Sequence, residues 1–389
     1  MNILYIASVV SVPCEMGEGS GGSTHTSEVA RHLTLLGHRV FIACKRSESQ
    51  SKLEGRDSVV FYRMFDWRTV AYNWLVHRPS IWKLARVPYY ALRTIRHTWL
   101  LIIFAITRKV DVVYERTSES TLAGTLCAAI LRLPFVIEVN DHSLSSLTLR
   151  ACRAIVTPDR DSIPAPFRSK VLQIEWGVDT SMFHSNVECA WVKQQYIIPV
   201  DLTLALFVGS GLPWHGLGDV LKAARLTLAR GLPIMYMVVG GGTEIQNLRH
   251  EIEHDGLREV FRFTGPLDYE LVPAVMAAAD ITLAPYNSLL SINNRHCIAS
   301  PLKVLEYMAS SKPVITTELA NGRKRLKHRI SAWIIPENSP AALADAIEIL
   351  AGDNALRSAI GRNARDEVEQ HSWRAHCAQL EGLFLAITN

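Results

Sequence analysis

Lys303 and Glu306 stand three residues apart in SPLKVLEYMASSKPVITT, Ser300 to Thr317. At that spacing an amine and a carboxylate share one face of a helix. Ser300 is a residue type that caps helix N-termini, and Pro301 suits the first helical position, where its missing N–H costs nothing. Leu302, Leu305 and Ala309 then repeat at helical spacing, and PVITT after Lys312 reads as a buried strand. A helix start carries partial positive charge and so receives anions such as phosphates. A carboxylate one turn up can accept two hydrogen bonds from a vicinal diol. The Lys303 amine adds a full positive charge beside that helix start. The plainer alternative is a solvated Lys–Glu pair worth about 0.2–0.5 kcal/mol.

Other glycine-bearing turns could serve the same ligand. In GEGSGGSTHTSEVARHL, Gly17, Gly19 and Gly22 match GxGxxG, the turn that receives dinucleotides. A nicotinamide site also wants Asp or Glu ending the second strand, and Lys45 and Arg46 stand there instead. The better reading lets the amides of Gly21 and Gly22 approach a ligand at a helix starting near Thr24. FVGSGLPWHGLGDVLKAA puts Ser210, Gly211, Trp214 and His215 in a second turn, and VVGGGTE puts Gly241 in a third. Taken singly, each is an ordinary α/β turn. Asp159-Arg160-Asp161 is formally a DxD metal motif, but it lies between prolines beside a helix start, where capping is the stronger reading. No other cluster has metal-ligand spacing, and no metal is expected.

Short β-branched runs alternate with helical patterns over most of the 389 residues. Thirteen strands are predicted: Ile3–Val9, Val40–Cys44, Val59–Tyr62, Val112–Tyr114, Phe135–Val139, Ala154–Thr157 and Val171–Ile174, then Leu204–Val208, Ile234–Val239, Val260–Phe263, Ile281–Ala284, Val314–Thr316 and Trp333–Ile335. Helical patterns include Thr24–Leu36, Leu217–Arg230 and Ala341–Leu350. This order predicts two doubly wound parallel sheets, an α/β fold used twice. The rhythm pauses over His184–Asp201, so the expected division is a first domain 1–185, a second 186–370 and a final helix 371–389. Ligands of such sheets bind at the carboxyl ends of the strands, here expected to face a common cleft.

With 48% hydrophobic and 20% charged residues and a mean hydropathy of +0.11, each half can bury a core. Seven scattered cysteines, never in CxxC spacing, argue for a reducing compartment rather than a disulfide framework. The start MNILYIASVV lacks the basic flank of a signal peptide and reads as a first strand. The longest apolar run, Trp99–Ile106, is far too short to span a bilayer. The net charge of +4 is uneven, because Trp67–Val110 holds no Asp or Glu but eight Lys and Arg interleaved with Trp and Tyr. That pattern suits an anionic membrane surface. The competing reading is a helical hairpin with aromatics in the core and cations in solvent.

The order and spacing of these motifs resemble retaining glycosyltransferases of family 4, which have the GT-B architecture of two Rossmann-like domains. The likeness is carried by the glycine loop, VVYER (Val112–Arg116), PFVIEVND (Pro134–Asp141), IEWGVDTSMF, VGSGLPWHG, VVGGGTE, FTGPL, AADITLAPY and SPLKVLEYMASSKPVI, within a branch marked by WHG and SPxKxxEYMA. HSWRAHCAQLEGLFLAI resembles the final helix, which often crosses back onto the first domain. The resemblance implies metal-independent transfer of a sugar, with retention, from a nucleotide-diphospho-sugar (UDP- or GDP-linked) to a hydroxyl acceptor. No further cofactor is implied. Donor binding would fall to Gly21, Gly22, Ser210, Gly211, His215, Gly241, Pro301, Leu302, Lys303 and Glu306. Arg116, Asn140 and His142 would meet the acceptor, and Lys303, Glu306 and His142 would be the catalytic set. A saccharide or lipid-linked saccharide acceptor is expected, in cell-surface polysaccharide or glycolipid synthesis, on the cytoplasmic side, peripheral to the plasma membrane. No nucleic acid partner is expected.

Three departures stand out. Ile298 occupies a position that is often Glu in the family. Ser210 and His215 replace the usual Arg and Lys of the turn, leaving Lys303 and Arg295 as substitutes. Asn140 stands at a common His position, with His142 two residues on. Two other readings follow from these departures and the shared architecture: a non-catalytic subunit that keeps the fold, or a nucleotide-sugar epimerase or phosphorylase.

Overall fold

Two parallel sheets are built from the thirteen strands. The computed structural model describes residues 1–11, 21–45, 59–63, 79–117, 122–139, 144–288, 301–318 and 326–388. Asn140, His142, Arg295, Ile298, Ser300, Gly17 and Gly19 lie outside the described residues, so the expectations resting on them are not addressed.

The first sheet contains β1 (Asn2–Ser11), β2 (Arg39–Lys45), β3 (Val59–Arg63), β4 (Val112–Thr117), β5 (Phe135–Val139), β6 (Ala154–Thr157) and β7 (Val171–Gln173). Their spatial order is β3-β2-β1-β4-β5-β6-β7. The second contains β8 (Thr203–Val208), β9 (Ile234–Val239), β10 (Phe261–Gly265), β11 (Ile281–Ala284), β12 (Val314–Thr317) and β13 (Trp333–Ile335), in the order β10-β9-β8-β11-β12-β13. Every recorded pairing is parallel. Each sheet reverses direction of growth at its first strand, which is the doubly wound pattern. Strands covered on both faces read as unbroken apolar runs, and β5 and β9 are buried at every residue.

Each unit has its own core. In the first, Ile6, Phe41, Val113, Phe135 and Ile137 pack with Phe104, which meets Phe41 edge-on at 5.5 Å. In the second, Phe207, Leu283 and Ile315 pack with Tyr236, which stacks on Phe261 at 5.1 Å.

The units divide elsewhere than the sequence suggests. The first takes Gly22–Ile174, the described residues before Gly21, and Cys377 onward, and the second takes Glu175–His376. The boundary therefore falls just after β7 rather than after residue 185. Val178 donates its N–H to the His371 carbonyl at 3.0 Å, and a Cβ on Gly177 would lie 2.6 Å from the Trp373 backbone. Those contacts hold the stretch after Ile174 to the second unit. The last helix, Trp373–Thr388, gives its first four residues to the second unit and the rest to the first.

Three helix assignments also differ. The first helix is Gly21–Leu35, so Gly21 and Gly22 lie in its opening turn rather than in a loop before it. Pro301 occupies the N-cap of helix Leu302–Ala309, one place earlier than expected, with extended backbone (φ −75, ψ 115). Its carbonyl accepts from the Val304 N–H at 3.0 Å and the Leu305 N–H at 3.4 Å, the shared bond common at helix termini. In the basic aromatic segment, Pro79–Arg108 is one unbroken helix of 30 residues rather than a hairpin.

Candidate functional site

The carboxyl ends of β8, β9 and β11 in the second unit bring glycine turns against one another. Gly209 and Gly211 follow β8 with φ of +152 and +55, and Gly240 and Gly242 follow β9 with φ of +125 and +114. A Cβ on Gly240 would lie 2.0 Å from the Gly209 carbonyl oxygen, and one on Gly242 would lie 2.3 Å from that of Ser210. A Cβ on Gly216 would come within 1.8 Å of the Pro285 carbonyl oxygen beyond β11. Glycine is required here by contact as well as by dihedral angle. Gly241 sits within the second of these turns.

Helix Leu302–Ala309 enters this nest from one side. Val304, Leu305, Tyr307, Met308 and Ala309 are buried, and Tyr307 accepts the Val208 N–H on its hydroxyl at 2.8 Å. The larger of these side chains each contribute roughly 1.5–3 kcal/mol by leaving water, enough to fix the helix without help from its polar face. Pro301 has no side-chain oxygen to cap the first turn, so the N–H groups of Leu302 and Lys303 receive no cap from the N-cap side chain.

Lys303 runs inward. Its Nζ lies 4.3 Å from the centroid of the Phe207 ring and 5.4 Å from that of Tyr286. A Cβ on Gly209 would come within 2.7 Å of it. The atom is buried and has no hydrogen-bond partner among the described residues. Burial pulls its pKa down to about 7, against the opposing pull of the Glu306 carboxylate. Lys303 and Glu306 are therefore not a solvated surface pair. Glu306 is itself buried, and its Oε1 accepts the Tyr269 hydroxyl at 2.9 Å. Tyr269 in turn stands edge-on to Phe183 at 5.7 Å.

His215 belongs to the same nest, between the rings of Phe207 and Tyr286. Its Nδ1 accepts the Leu212 N–H at 3.3 Å, which places the ring proton on Nε2. Burial first, and the Lys303 charge second, lower its pKa to about 2. A neutral imidazole cannot stand in for a missing cation, so within this group Lys303 supplies the positive charge. Two further contacts tie the strand ends together. Asn287 N–H donates to the Trp214 carbonyl at 3.0 Å, and Ser288 donates through N–H and Oγ to Glu337 Oε2 at 2.7 and 2.6 Å. The Thr317 Oγ at the end of β12 is buried without a hydrogen-bond partner among the described residues.

The first unit has its own polar convergence. Glu138, near the end of β5, is wholly buried. It meets His25 Nε2 at 2.8 Å and Arg116 at 2.9 Å, and it accepts the hydroxyls of Tyr114 at 2.6 Å and Tyr5 at 3.1 Å. Burial alone would raise its pKa, yet the charges and hydrogen bonds of His25 and Arg116, with the Tyr114 bond, hold it well below the usual carboxylate range. Burial and the Glu138 charge push both tyrosines up. The Arg116 guanidinium thus has a structural partner at the place where an acceptor contact is expected.

Of the predicted donor residues, Ser210, Gly211, His215, Gly241, Pro301, Leu302, Lys303 and Glu306 converge in the second unit, while Gly21 and Gly22 open the first helix of the chain. Tyr269, Thr317, Glu138 and His25 were not singled out from sequence. Tyr269 carries a weak signal, since it lies just after the FTGPL motif, but nothing in spacing ties His25 to Glu138. Asp159 accepts the Asp161 N–H at 3.0 Å and caps a short 3-10 turn, which gives the formal DxD a structural use.

Residues 192–367 match the family model for glycosyl transferases group 1. Among curated relatives, the chain is 26% identical over 235 residues to the D-inositol 3-phosphate glycosyltransferase of Corynebacterium glutamicum, covering 58% of this chain and 52% of that protein. It is 29% identical over 279 residues to the phosphatidyl-myo-inositol mannosyltransferase of Mycobacterium leprae, covering 69% and 72%. The chain thus spans about half the length of the first of these relatives. Anabaena HepE, solved in complex with UDP-glucose, superposes with a TM-score of 0.73 at 17% identity, over 99% of this chain and 100% of that one. Residues 192–367 thus resemble the glycosyl transferases of group 1, and the whole chain has the GT-B fold of two doubly wound sheets.

Proposed function

We propose that this protein transfers a sugar, with retention, from a nucleoside diphosphate sugar to a hydroxyl acceptor. The observation that carries the reading is the Lys303 amine, buried against the Gly209 turn without a hydrogen-bond partner among the described residues. Ionising it in that setting is costly, and a diphosphate at the same turn would repay the cost. The amides of Leu302 and Lys303 would meet the same phosphates, and the His215 Nε2–H would add a neutral donor. Glu306, oriented by Tyr269, would accept from the ribose hydroxyls. Three neutral donors and one ammonium can carry the leaving-group charge without a metal ion. The glycosyltransferase names of the relatives and the UDP-glucose held by HepE support this donor class.

We favour a lipid-linked saccharide acceptor on the inner face of the plasma membrane. The mannosyltransferase relative is named for a phosphatidylinositol acceptor, which agrees with that choice. Thermal-shift measurements with UDP, GDP and their sugars test the donor reading, because a ligand stabilises by its affinity for the native state. Stabilisation by one nucleotide family, with free nucleotide released only when acceptor is present and undiminished by EDTA, is expected. Absence of stabilisation by every nucleotide would refute the reading.

A further inference from the structure

Arg365, on helix Asn354–Val368, ties together two parts of the second unit that lie far apart in the chain. Its Nη1 donates to the carbonyls of Phe183 at 2.7 Å and Ala309 at 2.6 Å, and its Nη2 to that of Thr180 at 3.1 Å. Its Nε donates to Glu369 at 2.6 Å. Ala309 ends helix Leu302–Ala309, where carbonyls have no partner within the helix and a cation is favourable. The two helices are pressed together there, since a Cβ on Gly361, one turn before Arg365, would lie 2.1 Å from the Ser311 carbonyl oxygen. The other two carbonyls belong to the motif IEWGVDTSMF. Asp179 folds it into a turn, accepting the N–H groups of Ser181 and Met182 on its carboxylate and that of Phe183 on its carbonyl.

The turn delivers one side chain to the candidate site. Phe183 is wholly buried and meets the Tyr269 ring edge-on, and the Tyr269 hydroxyl donates to Glu306. Glu306 lies three residues before Ala309, on the helix whose end Arg365 holds. The contacts therefore close into a ring. One arm runs from Arg365 to Ala309 and along the helix to Glu306. The other runs from Arg365 through the turn, Phe183 and Tyr269 to the Glu306 carboxylate. A carboxylate meets both hydroxyls of a vicinal diol only when its plane is set, and such a group is held best when its supports are themselves locked by packing. A guanidinium suits the task, because its planar fork bonds several separate acceptors at fixed angles. We infer that Arg365 is a positioning residue for the ribose of the donor, holding Glu306 in its diol-binding orientation without touching the ligand. The inference rests on the proposed reading of Glu306 as the ribose-binding group and adds what holds that group in place.

The test is titration calorimetry of the full chain with UDP, GDP and their 2′-deoxy counterparts. Wild type should bind the ribonucleotide of one base roughly 10–100-fold more tightly than its deoxy counterpart, the loss expected for one hydrogen bond to a carboxylate. In Arg365→Met that ratio should fall towards one, while affinity for the deoxy nucleotide stays near the wild-type value and shows that the variant is folded. Phe183→Leu, which leaves every Arg365 hydrogen bond in place, should lower the ratio in the same way. If Arg365→Met does not fold, Phe183→Leu decides. On a Glu306→Ala background Arg365→Met should change neither affinity, because its effect passes through the carboxylate. A clamp that serves stability alone would weaken both nucleotides alike or neither, so an unchanged ratio in Arg365→Met and Phe183→Leu would overturn the inference. A wild type that binds ribo and deoxy nucleotides equally would also overturn it, while leaving the diphosphate donor standing. No binding of any nucleotide by wild type would refute the donor reading and the inference together.

Discussion

Replacing Lys303 by Met should make the protein more stable and less able to bind its nucleotide. Methionine keeps the length and flexibility of the side chain and leaves no charge under the Gly209 turn. Burial lowers the lysine pKa from 10.5 to about 7. At about 1.4 kcal/mol per pKa unit, that shift corresponds to about 4–5 kcal/mol of native-state penalty, an upper bound that water entry reduces. Even half of it is a large share of a domain's stability. The sign follows from proton counting. Between about pH 7 and the unfolded lysine's pKa near 10.4, the unfolded chain holds a proton that the native chain lacks. The penalty is therefore fully present below pH 7 and disappears as pH rises towards 10. Urea melts of wild type and Lys303→Met at pH 6.5, 8 and 9.5 should show the variant more stable, by a margin that narrows steadily with pH. Nucleotide binding runs the other way. A diphosphate needs the ammonium, so wild-type affinity should fall above pH 7 by up to about tenfold per unit. The variant should bind weakly with no such slope. A variant no more stable than wild type at pH 6.5, or one that binds nucleotide as tightly, would show that the amine is neither desolvated nor aimed at phosphate.

Four further substitutions probe the scaffold around both convergences. Glu138→Gln should cost about 3–5 kcal/mol, because it leaves Arg116 and His25 buried without their counter-charge. In wild type the Glu138 contribution should be present above the ordinary carboxylate range and lost as pH falls through its depressed pKa, which acid melts of the two proteins would compare. Gly216→Ala, at φ +75 and 1.8 Å from the Pro285 oxygen, should destabilise by at least about 2 kcal/mol. Gly218→Ala, two residues on in an open helical position, should stabilise by about 0.5–1 kcal/mol, and denaturant midpoints of the pair separate contact from composition. Tyr269→Phe should raise the donor KM roughly tenfold with a smaller change in kcat, since it removes one hydrogen bond to a carboxylate.

What could be read from the chain depended on how local the cause was. The strands were legible because a parallel strand covered on both faces must be apolar throughout, as Phe135–Val139 is, whatever packs on it. Helix ends were less so. Gly21 and Gly22 read as turn residues but form the first helical turn, because glycine's freedom permits a helix as readily as a loop. The spacing of Lys303 and Glu306 indicated one helix face and no more. On an exposed helix the same spacing describes a solvated ion pair of small consequence. What separates the two cases is the pair of rings from Phe207 and Tyr286, brought over the amine by β8 and β11 from distant parts of the chain. The Glu138 cluster has the same character, since its partners at positions 5, 25, 114 and 116 come from two strands and a helix, and only Tyr114 and Arg116 share a motif. Residue types announced where charge might gather, but desolvation decides what that charge is worth, and desolvation is a property of the assembled neighbourhood. Lys303 shows the difference most sharply. Its neighbours Leu305, Tyr307 and Met308 gain enough by burial to draw the helix inward and carry an amine that would otherwise stay in water, and the affinity for phosphate arises from that imposed cost.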